Sequence, residues 1–299
     1  MRVVSLTCEG PSQTHLEWRL SKEHGLIGRV KLVSAPSSRL TRLGALWSRY
    51  RDPRLALAHL QGRRAVRAAE AATRQLAAEL FGESGQVPEV DPRIPRLEVR
   101  DVNDASCLEF VRDLEPDVAV VNGTNLLRSS WFEREMQPPL GIVNIHTGLS
   151  PYSRGGNCNL YMILHGQPQL VGVTVHHIDA GIDSGDIIFT DRPAITRDDR
   201  FESLDAKCFR LGEDLLILAL DLLEGGRAPR IRQWRTGRLF LQRTGYSYRP
   251  RHRLLANRRL REEGLLEQYL LHRRRFDEGV RWFPPDRAAN ATGWRHPLV

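Results

Sequence analysis

Asn144, His146 and Asp183 are the residues whose types and spacing most suggest chemistry. Asn144-Ile145-His146 ends an apolar run, and period-two alternation places Asn144 and His146 on one side of a strand end with Ile145 turned into the core. Two neighbouring hydrogen-bond donors suit a developing oxyanion. Asp183 sits in Ala180-Gly181-Ile182-Asp183-Ser184-Gly185, a loop that seats one carboxylate between glycines. With no nucleophilic Ser or Cys among them, these three residues point to direct transfer of an acyl group between bound partners, the protein itself never being acylated. A lone Asn-x-His also fits a buried structural histidine. The segment 147–156, with its glycines and Pro151 ahead of a helix over 157–165, adds backbone donors near the same point.

No metal is expected. His176 and His177 fall on opposite faces of a strand over 173–178, so both cannot serve one ion. His177-x-Asp179 and Asp183-x-x-Asp186 match ligand spacing only loosely, and the run from Asp179 lacks the final glutamate of a calcium loop.

Alternating strands and helices must position these residues. Strands are expected over 2–7 and 27–33 with an amphipathic helix over 14–24 between them, the opening of a nucleotide-type sheet. The loop between them carries neither a dinucleotide nor a P-loop glycine pattern. A strand over 97–102 and a helix from Asp104 to about 114 follow, then the wholly apolar Val118-Ala119-Val120-Val121, of the kind buried on both faces of a parallel sheet. That strand empties into 122–127, with Trp131 and Phe132 beyond, read either as turn and core or as one wall of a flat cofactor's pocket. A strand over 187–194 and a long helix over 200–223, closed by Gly225-Gly226, complete an open, mostly parallel α/β sheet. In the tail, 237–241 and 246–249 could pair as a hairpin before a basic helix over 251–276; Tyr246, Tyr248 and nearby arginines either pack there or help bind a phosphorylated acceptor. The expected division is 1–226 for the catalytic domain, with a basic helical insertion over 38–85, and 227–299 for a small basic C-terminal region.

The chain of 299 residues carries a formal charge of +8, which would suit nucleic acid, an anionic surface or a phosphorylated substrate. Only Lys22, Lys31 and Lys207 are lysines, so the charge is an arginine bias that composition alone can produce. The arginines crowded into the insertion fit a solvated helix face better than an anion clamp. Cys8, Cys107, Cys158 and Cys208 form no C-x-x-C pair and are expected to be free thiols. With no signal core and no apolar run long enough to span a bilayer, a cytoplasmic protein without a membrane partner is expected.

Asn144-Ile145-His146, followed by Gly148-Leu149-Ser150-Pro151 and Arg154-Gly155, then Gly172-Val173-Thr174-Val175-His176 and Gly181-Ile182-Asp183-Ser184-Gly185-Asp186-Ile187-Ile188, resembles the 10-formyltetrahydrofolate-dependent formyltransferase family. The motif-level likeness covers about 118–226; the first half is compatible in layout. The resemblance implies a Rossmann-like formyltransferase fold, 10-formyltetrahydrofolate as formyl donor, and Asn144, His146 and Asp183 as catalytic residues. It implies that the pteridine lies against Asn122, Gly123, Thr124 and Leu126 on one side and Ile178, Asp179 and Gly181 on the other. The Asn144 amide and His146, as an imidazolium kept charged and oriented by Asp183, would hold the oxyanion while an amine attacks the formyl carbon.

The departures narrow the acceptor. The usual Ser-Leu-Leu-Pro is here Gly148-Leu149-Ser150-Pro151, and Cys8-Glu9-Gly10-Pro11-Ser12-Gln13 lacks the glycine-rich phosphate loop of the purine-pathway members. A basic insertion recurs in the tRNA-acting members, but the stretch after Gly226 is short for their C-terminal barrel, and the hydrolases' N-terminal regulatory domain is not seen. The expected activity is formyl transfer to a primary amine of a small, nucleotide-linked or phosphorylated acceptor such as an amino sugar. A methionyl-tRNA formyltransferase-like enzyme and a non-catalytic binding protein on the same fold are the alternatives.

Overall fold

The computed structural model describes residues 1–33, 87–241, 244–246, 248–249 and 251–284, together with Arg67, Ala71, Gln75, Leu76, Glu79 and Phe81. Those six positions are helical; the rest of the insertion expected over 38–85 lies outside the described residues, as does 285–299.

The uncharged run Val118–Asn122 forms β4, buried along its whole length. Each fully buried aliphatic side chain of this kind stabilises the fold by roughly 1.5–3 kcal/mol, so β4 anchors the sheet. Around it lie β1 (Arg2–Cys8), β2 (Gly25–Leu32), β3 (Arg96–Val99) and β5 (Ile142–His146), all parallel. A short β6 (Ser153–Gly155) leaves the sheet, β7 (Val173–His177) returns antiparallel to β5, and β8 (Ile187–Asp191) is antiparallel to β7. The order is β3-β2-β1-β4-β5-β7-β8. The chain reverses direction of travel across the sheet between β1 and β4, the crevice where open α/β sheets bind ligands.

Alternation sorts the two faces. Val118, Val120, Val143, Ile145, Val173 and Val175 pack against Leu16 and Leu20 of α1 (Pro11–Glu23) and against α4 (Phe201–Glu224). Ala119, Val121 and Ile142 face the other way, onto Cys107 and Val111 of α2 (Ala105–Asp113) and onto Trp131. Ile145 therefore turns into the core as expected, and Asn144 and His146 share the opposite face. The further α-helices with described bounds are α3 (Cys158–Leu164), α5 (Arg251–Asn257), α6 (Leu265–Leu271) and α7 (Arg273–Asp277).

Several local expectations need correction. α1 begins at Pro11 rather than near 14, because proline suits a first helical position that needs no N–H partner. Asp104 sits at the N-cap of α2 without a side-chain cap; its backbone carbonyl accepts from Cys107 and Leu108 instead. The expected hairpin is absent among the described residues: β9 (Arg238–Phe240) pairs in parallel with β6, and Tyr246 N–H closes a turn onto Leu241. The basic helix is broken into α5, a π-helical turn over Arg258–Glu262, α6 and α7, with Gly264 at φ 71° where the chain turns left-handed. Trp131 is fully buried and donates its indole N–H to Val102 O, so it is a core residue rather than a cofactor wall.

The C-terminal region braces the loops behind β5. Leu149, Tyr152, Cys158 and Tyr161 share a cluster with Phe240, Trp234 and Tyr246, whose ring is engaged there and whose hydroxyl meets His165. All four cysteines are free. No helix among the described residues is long and apolar enough to cross a membrane.

Candidate active site

Asn144 and His146 both reach Asp183. The Asn144 Nδ2 group lies 3.3 Å from Asp183 Oδ1, and His146 Nδ1 lies 3.5 Å from Asp183 Oδ2. Asp183 stands in a loop at φ 46°, a left-handed conformation that Asp tolerates better than most residues. Gly155 N–H donates to Oδ2 at 2.8 Å, so the backbone donor comes from β6 rather than from the N-terminus of α3. From the C-terminal region, Gln233 Nε2 donates to the carbonyls of Asp183 and Gly185 at 2.8 and 3.0 Å.

A fourth residue belongs to the constellation. In the β5–β7 register Asn144 faces His176, whose Nε2 is 3.1 Å from Asn144 Nδ2. The His176 Nδ1 edge lies 2.7 Å from the carbonyl of His177, which can only accept, so the proton sits on Nδ1 and Nε2 accepts from Asn144. Asn144 is thereby held with its amide nitrogen between His176 and Asp183. Strand pairing was the missing signal: the alternation that excludes a shared metal also puts His176 on the face of Asn144.

Burial alone would raise the Asp183 carboxyl. The nearby His146 and His176 and the Gly155 N–H outweigh burial and hold it well below the usual carboxylate range. Burial pushes His146 below its ordinary value, more than Asp183 raises it, with His176 adding to the fall. Burial thus favours a neutral ring over the expected imidazolium, because water is excluded and one carboxylate does not compensate. Burial likewise pushes His177, on the other face, down to about 4.

These groups line a cavity of about 1030 Å³. All seven residues expected to contact the pteridine, Asn122, Gly123, Thr124, Leu126, Ile178, Asp179 and Gly181, line it with Asn144, His146 and Asp183. Not all are free to meet a ligand. The Asn122 amide accepts from Gln13 at 2.8 Å and donates to Ile145 O at 2.9 Å, tying the first loop to β5. Asp179 Oδ1 accepts from Gly181 N–H and Ser184 Oγ. Gly123, at φ 73°, lets the chain pass Cys8, whose sulfur would lie 2.7 Å from a Cβ. The wall continues with Ser12 and Gln13 at the start of α1 and with Asn157, Asp205 and Phe209, and the sequence singled out neither Asp205 nor Phe209 for the site. Asp205 makes no hydrogen bond among the described residues, and burial pushes its carboxyl up to about 6.

The sequence profile described as formyl transferase matches residues 57–220, more than half of the chain. The chain belongs to the formyl transferase family. This formyl transferase is 34% identical over 139 residues to a methionyl-tRNA formyltransferase of Syntrophus aciditrophicus, covering 46% of the chain and 43% of that protein. It is 29% identical over 196 residues to that of Methylacidiphilum infernorum, covering 64% and 54%. The matched stretch thus spans about half the length of these curated relatives. Among solved structures, a Mycobacterium tuberculosis protein described as a candidate sugar N-formyltransferase superposes with a TM-score of 0.51 at 19% identity, over 87% of each chain, a likeness of fold.

Proposed function

We propose that this formyl transferase moves a formyl group from 10-formyltetrahydrofolate to a primary amine of a small acceptor such as a nucleotide-linked amino sugar. The convergence of Asn144, His146 and Asp183 in the wall of one cavity large enough for two reactants carries the reading. The folate supplies the activated formyl carbon. Main chain after β4 and β7 offers hydrogen-bonding edges for its ring. A formyl oxygen that displaces Asp183 Oδ1 from the Asn144 amide would take that N–H, with the His146 Nδ1 edge as a second donor. Asp183, ionised throughout the working range, relays the proton that the attacking amine sheds, through water, to the folate nitrogen as the bond between that nitrogen and the formyl carbon breaks. Asp205, a carboxylate without a hydrogen bond among the described residues, lines the cavity with Phe209 and suits an acceptor bearing donor groups and an apolar face, as sugars do.

The second reading, methionyl-tRNA as acceptor, is favoured by the identity of the curated relatives. Calorimetric titration with 5-formyltetrahydrofolate, a stable stand-in for the donor, tests the folate half: micromolar affinity is expected, and none at millimolar donor would remove folate. Formyl transfer to nucleotide-linked amino sugars against methionyl-tRNA then separates the acceptors, and only the tRNA reaction should weaken steeply with salt.

A further inference from the structure

Gly148 follows His146 by two residues and touches its ring. A Cβ built on Gly148 would lie 2.4 Å from His146 Nε2, 2.7 Å from Cys158 Cβ and 2.9 Å from Ser153 Oγ. Non-bonded carbon contacts settle at about 3.5–4 Å, so no side chain fits while the ring and the start of α3 keep their places. His146 Nε2 and Ser153 Oγ are both buried without a hydrogen-bond partner. The Nε2 edge of the imidazole thus fills the volume that a side chain at 148 would claim, and the Nδ1 edge faces Asp183.

We propose that Gly148 is a positioning residue for His146: its missing side chain opens a seat beside Ser153 and Cys158 that buries the Nε2 edge and leaves Nδ1 as the working edge of the ring. The groups facing the ring are Asp183 from the loop after β7, His176 from β7 at 6.3 Å between ring centroids, the hydroxyl and main chain of Ser153 from β6, the latter favouring a protonated ring, and Cys158 from α3. Only Asp183 among them is an anion, and it stands on the Nδ1 side. A neutral imidazole in this seat therefore keeps its one proton on Nδ1, where the carboxylate stabilises it. The seat depends on the folate reading only for its kinetic consequence.

The test is ring NMR of histidine-labelled full-length protein, wild type and Gly148→Ala, with a pH profile of formyl transfer. In wild type, His146 is expected to be neutral with its proton on Nδ1 at pH 7, to titrate below the ordinary value, and to exchange its ring carbon proton more slowly than the exposed His272. In Gly148→Ala the methyl group displaces the ring. Its titration then rises by about one pH unit, and the acid limb of the transfer profile moves with it. A folded Gly148→Ala protein whose His146 signals and titration match wild type overturns the proposal. Where that variant does not fold, wild type decides: His146 protonated on Nε2, or exchanging as fast as His272, overturns it as well. Failure to bind 5-formyltetrahydrofolate would count against the folate reading and leave the ring measurement standing.

Discussion

Gln233 Nε2 donates to the Asp183 carbonyl at 2.8 Å, so a residue from the C-terminal region holds the loop on which the candidate carboxylate stands. The same nitrogen reaches the Gly185 carbonyl, bracketing the turn. Gln233→Ala is expected to lower formyl transfer about tenfold through loss of roughly 1.4 kcal/mol of positioning, with donor affinity little changed. Gln233→Glu should be worse, because a carboxylate would then face two carbonyl oxygens. Turnover in both variants equal to wild type would show that the loop stands without this bracket.

His176 accepts from the Asn144 amide and so orients the proposed oxyanion donor. His176→Phe keeps a buried ring but removes the acceptor, and should reduce kcat about ten- to a hundred-fold, less than the roughly hundred- to thousand-fold loss from deleting an oxyanion donor itself in Asn144→Ala. Steady-state kinetics on both variants give the comparison. An undiminished kcat for His176→Phe would mean that Asn144 keeps its orientation without this contact.

Much of this site was legible in the chain before its folding. The alternation in Asn144-Ile145-His146 put two polar side chains on one face because strand geometry leaves no other choice, and all ten expected residues do line one cavity. What stayed hidden depends on partners far apart in sequence. His176 joins through strand register, Gly155 through the β6–β9 pairing, Gln233 beside the Ile187–Ile231 bridge, and Asp205 and Phe209 through the packing of α4. The pull of burial on His146 stayed hidden for a related reason: one nearby carboxylate is visible as a motif, but the depth of burial that opposes it is not.

Asp183 occupies a left-handed backbone position that Asn also tolerates, so Asp183→Asn is the variant that should remove the charge and keep the turn. Transfer is expected to fall about a thousandfold or more with the loss of the proposed proton relay and of its charge beside His146. Far-ultraviolet dichroism and donor titration should match wild type. Substantial transfer by a folded Asp183→Asn protein would remove Asp183 from the chemistry.

His146 and His177 are both held below their ordinary values by burial, His177 to about 4. The unfolded chain takes up protons at these rings as pH falls past about 6.5, while the folded chain resists, so stability should decline from pH 7 toward pH 5. Asp183 acts lower on the scale: its depressed carboxyl adds stability that is complete above the ordinary aspartate value and is lost as pH falls through its folded value. Urea midpoints at pH 5 and pH 7.5 measure the first effect, and His177→Phe should narrow the gap. A midpoint at pH 5 equal to or above that at pH 7.5 would contradict it.

Beneath the site, Lys31 and Glu17 form a buried pair at 2.9 Å, both side chains almost entirely shielded from water. Ser5 and Thr7 of β1 also donate to the same carboxylate oxygen, and Lys31 reaches Thr7, so β1, α1 and β2 meet in one polar knot inside an apolar layer. Glu17 Oε2 has no partner, which leaves Lys31 as the sole cation balancing a desolvated charge among the described residues. Lys31→Met is therefore expected to cost about 3–5 kcal/mol in urea denaturation, mostly the penalty of an uncompensated carboxylate. Adding Glu17→Gln should recover much of that loss, because it removes the charge while keeping an acceptor for Ser5 and Thr7. A cost below about 1 kcal/mol for Lys31→Met would mean that the ion pair does not carry this stability.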